Sequence, residues 1–153
     1  MLRQATTWRM QNEIDILRDV PEKLKSAGIA FMLTGSVAMS YYAQPRMTRN
    51  IDIVVALERS HTETISRLFA SHYYVAPEAV EEAIRRRSMF NIIHFQSVIK
   101  VDFIVLVNSP FARSEFERRS DVSLGDFQTT IISREDRFNR TIDTWMTACH
   151  CST

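Results

Sequence analysis

The sequence predicts an α/β (α+β) protein with a mixed central β-sheet flanked by helices. Three observations carry this. The run Ile51-Asp-Ile-Val-Val-Ala-Leu57 is rich in β-branched residues, as a buried strand requires. Strand-like runs at 89–95 and 98–107 are separated only by Gln96-Ser97, a spacing that makes them antiparallel neighbours. Segments of helical periodicity lie between the strands, so the sheet mixes parallel and antiparallel pairs.

Each element has its own warrant. Residues 12–27 place Ile14, Leu17, Val20 and Leu24 on one helical face, with Gly28 as the stop and Pro21 placed to kink or split the helix. Residues 29–33 (Ile-Ala-Phe-Met-Leu) form a short buried strand. A short helix at 36–43 is closed by Pro45. After the 51–57 strand, 61–71 reads as an amphipathic helix on Ile65, Leu68 and Phe69. Residues 77–87 form another, with proline at its start. A short helix at 110–119 and a strand at 127–132 follow the hairpin. Ser133 and Asp136 have capping-box spacing and open a last helix carrying Phe138, Ile142, Trp145 and Cys149.

The composition excludes several classes. With 153 residues, 45% hydrophobic and 24% charged, the chain is globular, and disorder is out. The length predicts a single domain over 1–153, with 133–153 as a short helical appendage. A net charge of +1 argues against a general electrostatic grip on nucleic acid or anionic lipid. No apolar run is long enough for a membrane span or of signal-peptide type, and the two cysteines, Cys149 and Cys151, form no useful loop. A reduced, cytoplasmic protein is the expectation.

Three segments carry candidate chemistry. Glycine is scarce, three in the chain, and one sits in Leu33-Thr34-Gly35-Ser36-Val37, where a strand turns into a helix. Such a corner opens backbone N–H groups toward a phosphate, and the Ser36 hydroxyl adds a donor; the plainer alternative is a turn with an N-cap. In Arg46-Met-Thr48-Arg49-Asn50-Ile51-Asp52-Ile53, positions 50 and 52 share one strand face. A carboxylate inside an apolar strand must be satisfied, by a cation or by a neighbouring loop. Lys100-Val-Asp102-Phe-Ile-Val repeats the pattern. If the two strands are neighbours, the acids converge and repel unless a metal neutralises them, and hard oxygen ligands suit Mg²⁺.

Together, these segments resemble the polymerase-β-type nucleotidyltransferase superfamily, in particular the minimal bacterial branch that includes AbiEii-type toxin nucleotidyltransferases. The resemblance covers about residues 28–106, and Ile131-Ile-Ser-Arg-Glu-Asp136 also looks like that branch. It implies the nucleotidyltransferase fold, a nucleoside triphosphate held with Mg²⁺, and transfer of a nucleoside monophosphate to a hydroxyl of a tRNA, protein or small-molecule acceptor. Gly35 and Ser36 match the corner that holds the triphosphate. Arg46 and Thr48 match the residues before the acidic pair, and Arg49 is placed to lean on phosphate. Asp52 matches the second acid of the pair, a metal ligand. Asp102 matches the third acid, which binds metal and helps deprotonate the acceptor. Asn50 stands where the family has its first acid; its amide offers one oxygen to a metal but no charge. That departure keeps a second reading open: a catalytically impaired module on the same fold, such as a toxin–antitoxin component with a partner protein.

Other features have structural readings. Arg85-Arg86-Arg87 complements a helix dipole. Cys149-His150-Cys151 is too compressed for zinc. His94 reads as a core or edge histidine. Tyr41-Tyr42 and Tyr73-Tyr74 each read as one ring in and one ring out, and the seven methionines fill core gaps.

Overall fold

The computed structural model describes residues 2–35, 37–38 and 50–138, with side chains from residue 12 to residue 137 of these. In chain order the elements are α1 (Leu2–Ser26), β1 (Phe31–Thr34), β2 (Asn50–Val55), α2 (Thr62–Phe69), β3 (Tyr73–Tyr74), α3 (Pro77–Arg86), β4 (Met89–His94), β5 (Lys100–Val105), α4 (Pro110–Glu117), β6 (Ser120–Leu124), β7 (Phe127–Ile131) and α5 (Arg134–Phe138). Gly35, Val37 and Ala38 are helical; the rest of the helix expected at 36–43 lies outside the described residues, as do Tyr41, Tyr42 and the tail beyond residue 138.

The described strands form one seven-stranded sheet in the order β3-β4-β5-β2-β1-β7-β6. The β2–β5 and β1–β7 pairs are parallel and the others antiparallel, so the sheet is mixed as expected. One face carries the larger core: Leu17, Val20 and Leu24 of α1, Ile65 and Phe69 of α2, and Val80 and Ile84 of α3 pack on Ile51, Ile53, Val101 and Phe103. The other face carries a smaller core, in which Ala112 and Phe116 of α4 cover Met32, Val54 and Ile104. Alternation along β2 and β5 divides the strand residues between these two cores.

The differences from expectation have physical reasons. Pro21 does not split α1, which runs on both sides of it; Leu17, Val20 and Leu24 keep one buried stripe across the proline, and packing outweighs the lost backbone hydrogen bond. The hairpin is longer than two residues. His94 N–H donates to Ile99 O at 3.0 Å and Val98 takes the left-handed conformation at φ 58°, so the loop spans 95–99. β3 and β6 were not legible. β3 has two residues, and β6 is an exposed edge strand of polar sequence, Ser-Asp-Val-Ser-Leu.

Other expectations hold. Ser133 Oγ accepts from Asp136 N–H and donates to Asp136 Oδ2 at 2.6 Å, as the capping spacing required. Tyr73 is buried and Tyr74 exposed. His94 Nδ1 bonds Ser97 Oγ at 2.8 Å and organises the hairpin loop, a structural role. Arg85 and Arg86 stand in the last turn of α3 and pair with Glu82, whereas Arg87, expected at the same helix end, is its left-handed C-cap and donates instead to the carbonyls of Leu57 and Leu106, tying together the chain leaving β2 and β5.

Candidate functional site

β1 runs antiparallel to β2, and β2 runs parallel to β5. This topology brings the end of β1 to the beginnings of β2 and β5. The register pairs Thr34 with Asp52, Asp52 with Asp102, and Asp102 with Asn91 of β4. Directly paired residues share a face, so a row of four polar residues crosses β1, β2, β5 and β4. The adjoining row on the same face pairs Asn50 with Lys100. The two acids singled out in the sequence are thus neighbours, although 50 positions apart in the chain.

Both carboxylates are buried, Asp52 at 7% and Asp102 at 5% exposure. Lys100 Nζ lies 3.5 Å from Asp102 Oδ1, which is buried and accepts no hydrogen bond. A buried carboxylate oxygen without a donor is costly unless a cation meets it. Gly35 closes the corner at φ +63°, and a Cβ on it would stand 2.2 Å from Asp52 Oδ2. Glycine is required here for two independent reasons: the left-handed backbone and the carboxylate against it.

The pair is electrostatically loaded. Burial raises the Asp52 carboxyl from 3.8 to about 6; the Asp102 carboxylate adds to the rise and the Lys100 ammonium opposes it. The folded value lies above the unfolded one, so the stability this group contributes is fully present below 3.8 and is lost as pH rises through about 6. The metal-free protein should therefore lose stability to urea over roughly pH 4 to 7. Asp52→Asn should flatten that segment of the profile. An unchanged slope in the variant would assign the dependence to another group.

Of the expected site residues, Gly35, Asn50, Asp52 and Asp102 are brought to one corner of the sheet. Ser36, Arg46, Thr48 and Arg49 lie outside the described residues, as do Cys149, His150 and Cys151. Sequence reasoning gave no role to Lys100 or Asn91. Lys100 was findable: it stands two residues before Asp102, on the same strand face by simple alternation. Asn91 was not, because its place beside Asp102 depends on the hairpin register. Among the described residues no group of three or more His, Cys, Asp or Glu residues could hold a metal; the acids form a pair, not a cluster.

No family model and no curated sequence matches the chain. Solved structures do match in fold. A candidate nucleotidyltransferase from Thermotoga maritima has a TM-score of 0.58 at 14% identity, covering 92% of this chain and 87% of that one. The lincosamide antibiotic adenylyltransferase LnuA, solved with lincomycin, has a TM-score of 0.50 at 14% identity, covering 93% of this chain and 92% of that one. The mixed sheet with its flanking helices is thus the architecture of nucleotidyltransferase-fold structures.

Proposed function

We propose that the chain binds a nucleoside triphosphate with Mg²⁺ and transfers a nucleoside monophosphate to a hydroxyl acceptor. One observation carries this reading: Asp52 and Asp102 are buried in direct register, with Asp102 Oδ1 accepting no hydrogen bond among the described residues and met by the Lys100 ammonium at 3.5 Å. Two adjacent buried carboxylates make a hard, anionic oxygen site of the kind Mg²⁺ prefers. The shared fold supports it, as does the resemblance of the Gly35 corner and the two acid strands to the nucleotidyltransferase superfamily; the AbiEii-type branch is part of the proposal.

Asp52, Asp102 and the Asn50 amide oxygen would hold the ion. Mg²⁺ supplies neutralisation of phosphate charge and polarisation of the α-phosphate. Gly35 lets the backbone at the corner approach the triphosphate closely, with Ser36, Arg46, Thr48 and Arg49 as its further contacts. In the transfer, the acceptor oxygen bonds to the α-phosphorus, the bond to the β-phosphate oxygen breaks, and pyrophosphate leaves. Asp102 takes the acceptor's proton. The acceptor is a tRNA, a protein side chain or a small molecule; the lincomycin in LnuA puts small hydroxylated compounds in the first panel to be tried. Among the described residues no helix is long and apolar enough to cross a membrane.

Asn50 favours a second reading. A neutral amide in the position of a carboxylate suits a nucleotide-binding module with little or no turnover, such as one partner of a toxin–antitoxin pair. Calorimetric titration with each of the four nucleoside triphosphates, with and without Mg²⁺, tests the binding common to both readings. Saturable binding that requires Mg²⁺ is expected. No binding of any triphosphate would overturn the proposal. Transfer activity that is absent in the wild type and appears in Asn50→Asp would select the second reading.

A further inference from the structure

The charges around the acid pair allow a count of the ions it can hold. Two buried carboxylates stand on register-paired positions of one sheet face, and one ammonium stands 3.5 Å from Asp102 Oδ1. Lys100 is the direct register partner of Asn50, so the cation borders the position that carries an amide in place of a third acid. Its side chain is 38% exposed, whereas that of Asp102 is 7% exposed; the ammonium reaches in from solvent to a buried oxygen. Among the described residues no third metal-binding acid, histidine or cysteine completes a larger cluster.

Among the described residues, and before any nucleotide is bound, two carboxylates and one ammonium leave one net negative charge. One divalent cation turns that into one net positive charge, and a second ion would make it three. At separations near 4 Å, like charges repel by about 1 to 4 kcal/mol per unit pair between the dielectric limits of water and protein surface. A second ion would meet that repulsion from both the first ion and the ammonium. We infer that this site holds a single divalent cation on Asp52 and Asp102, and that the Lys100 ammonium supplies the second positive charge beside it. The inference rests on the proposed metal-dependent nucleotide binding and gives that site its stoichiometry.

Mn²⁺ titration of the purified full chain, followed by the electron paramagnetic resonance of unbound ion, reads the count directly. The wild type is expected to take up one Mn²⁺ per chain. Lys100→Met keeps the length of the stem and removes the charge, so Mn²⁺ should bind about tenfold more tightly. Lys100→Gln should do the same, and circular dichroism on both variants verifies the fold. The double variant Asn50→Asp with Lys100→Met should accept a second Mn²⁺. A lysine that merely braces Asp102 predicts the opposite sign, weaker Mn²⁺ binding on its removal, and that result would overturn the inference. Two ions bound to the wild type would overturn it while leaving the proposed function standing. No Mn²⁺ bound to any of these chains would sink both.

Discussion

Replacing Asp52 with alanine is expected to abolish Mg²⁺-dependent nucleotide binding while the protein stays folded. Asp52 contributes half of the carboxylate pair, and its loss leaves Asp102 and an amide to hold a divalent ion. The expected fall in affinity is at least a hundredfold, about 2.7 kcal/mol. The companion effect on stability has the opposite sign. At neutral pH the ionised Asp52 is disfavoured by burial and by the Asp102 carboxylate. Asp52→Asn keeps the shape and removes the charge, so the metal-free variant should be about 1–2 kcal/mol more stable than wild type. For a chain of this length that is a rise in melting temperature of roughly 2–8 °C. Calorimetry with Mg²⁺ and nucleotide reads the first effect, and thermal unfolding without metal reads the second. A variant that bound Mg-nucleotide as the wild type does would remove Asp52 from the site. One that melted below the wild type would show that the pair is no electrostatic burden.

The second large effect is expected at Gly35. Alanine there must take φ +63° and place its Cβ 2.2 Å from Asp52 Oδ2 and 2.9 Å from Asp52 Cγ. The backbone term alone costs about 1–2 kcal/mol. Displacing a well-packed neighbour costs about 1–3 kcal/mol more. Gly28 separates the two terms. Its φ is +70°, but a Cβ there meets nothing within 4 Å, so Gly28→Ala carries only the backbone cost. Urea unfolding should rank Gly35→Ala below Gly28→Ala, and combining Gly35→Ala with Asp52→Ala should recover part of the difference. Equal losses for the two alanine variants, with no recovery in the double variant, would mean that Asp52 yields to the Cβ at no cost. Gly35→Ala should also weaken nucleotide binding, because the carboxylate it pushes aside is a proposed ligand.

The sequence made the centre of the sheet legible and left its edges obscure. β2 and β5 announce themselves by dense β-branched residues, since both are covered on two faces. Their acids stood out because a carboxylate in such a run has no cheap structural explanation. β3 and β6 are edge strands, short or polar, held in place by a neighbour and not by their own pattern. The first ten residues of α1 lay outside the expected helix because their sequence carries no sustained run of apolar residues at helical spacing. At the site, periodicity could put position 50 on a face with 52, and 100 on a face with 102. Only the register between strands could bring the two pairs together and add Asn91 to the row.

That register has a consequence for biosynthesis. β2 and β5 are parallel neighbours, so the chain between Val55 and Lys100 must be made, and must cross the sheet, before Asp52 meets Asp102. A nascent chain that has extruded β1 and β2 already owns the glycine corner and one acid, yet it has no place for a divalent ion. The proposed ion would therefore reward only the finished pairing. Parallel long-range pairing is among the slower events in folding, and a ligand that binds only after it draws the equilibrium toward completion by mass action. Cation availability during synthesis would then influence how much of the newly made protein reaches its final form.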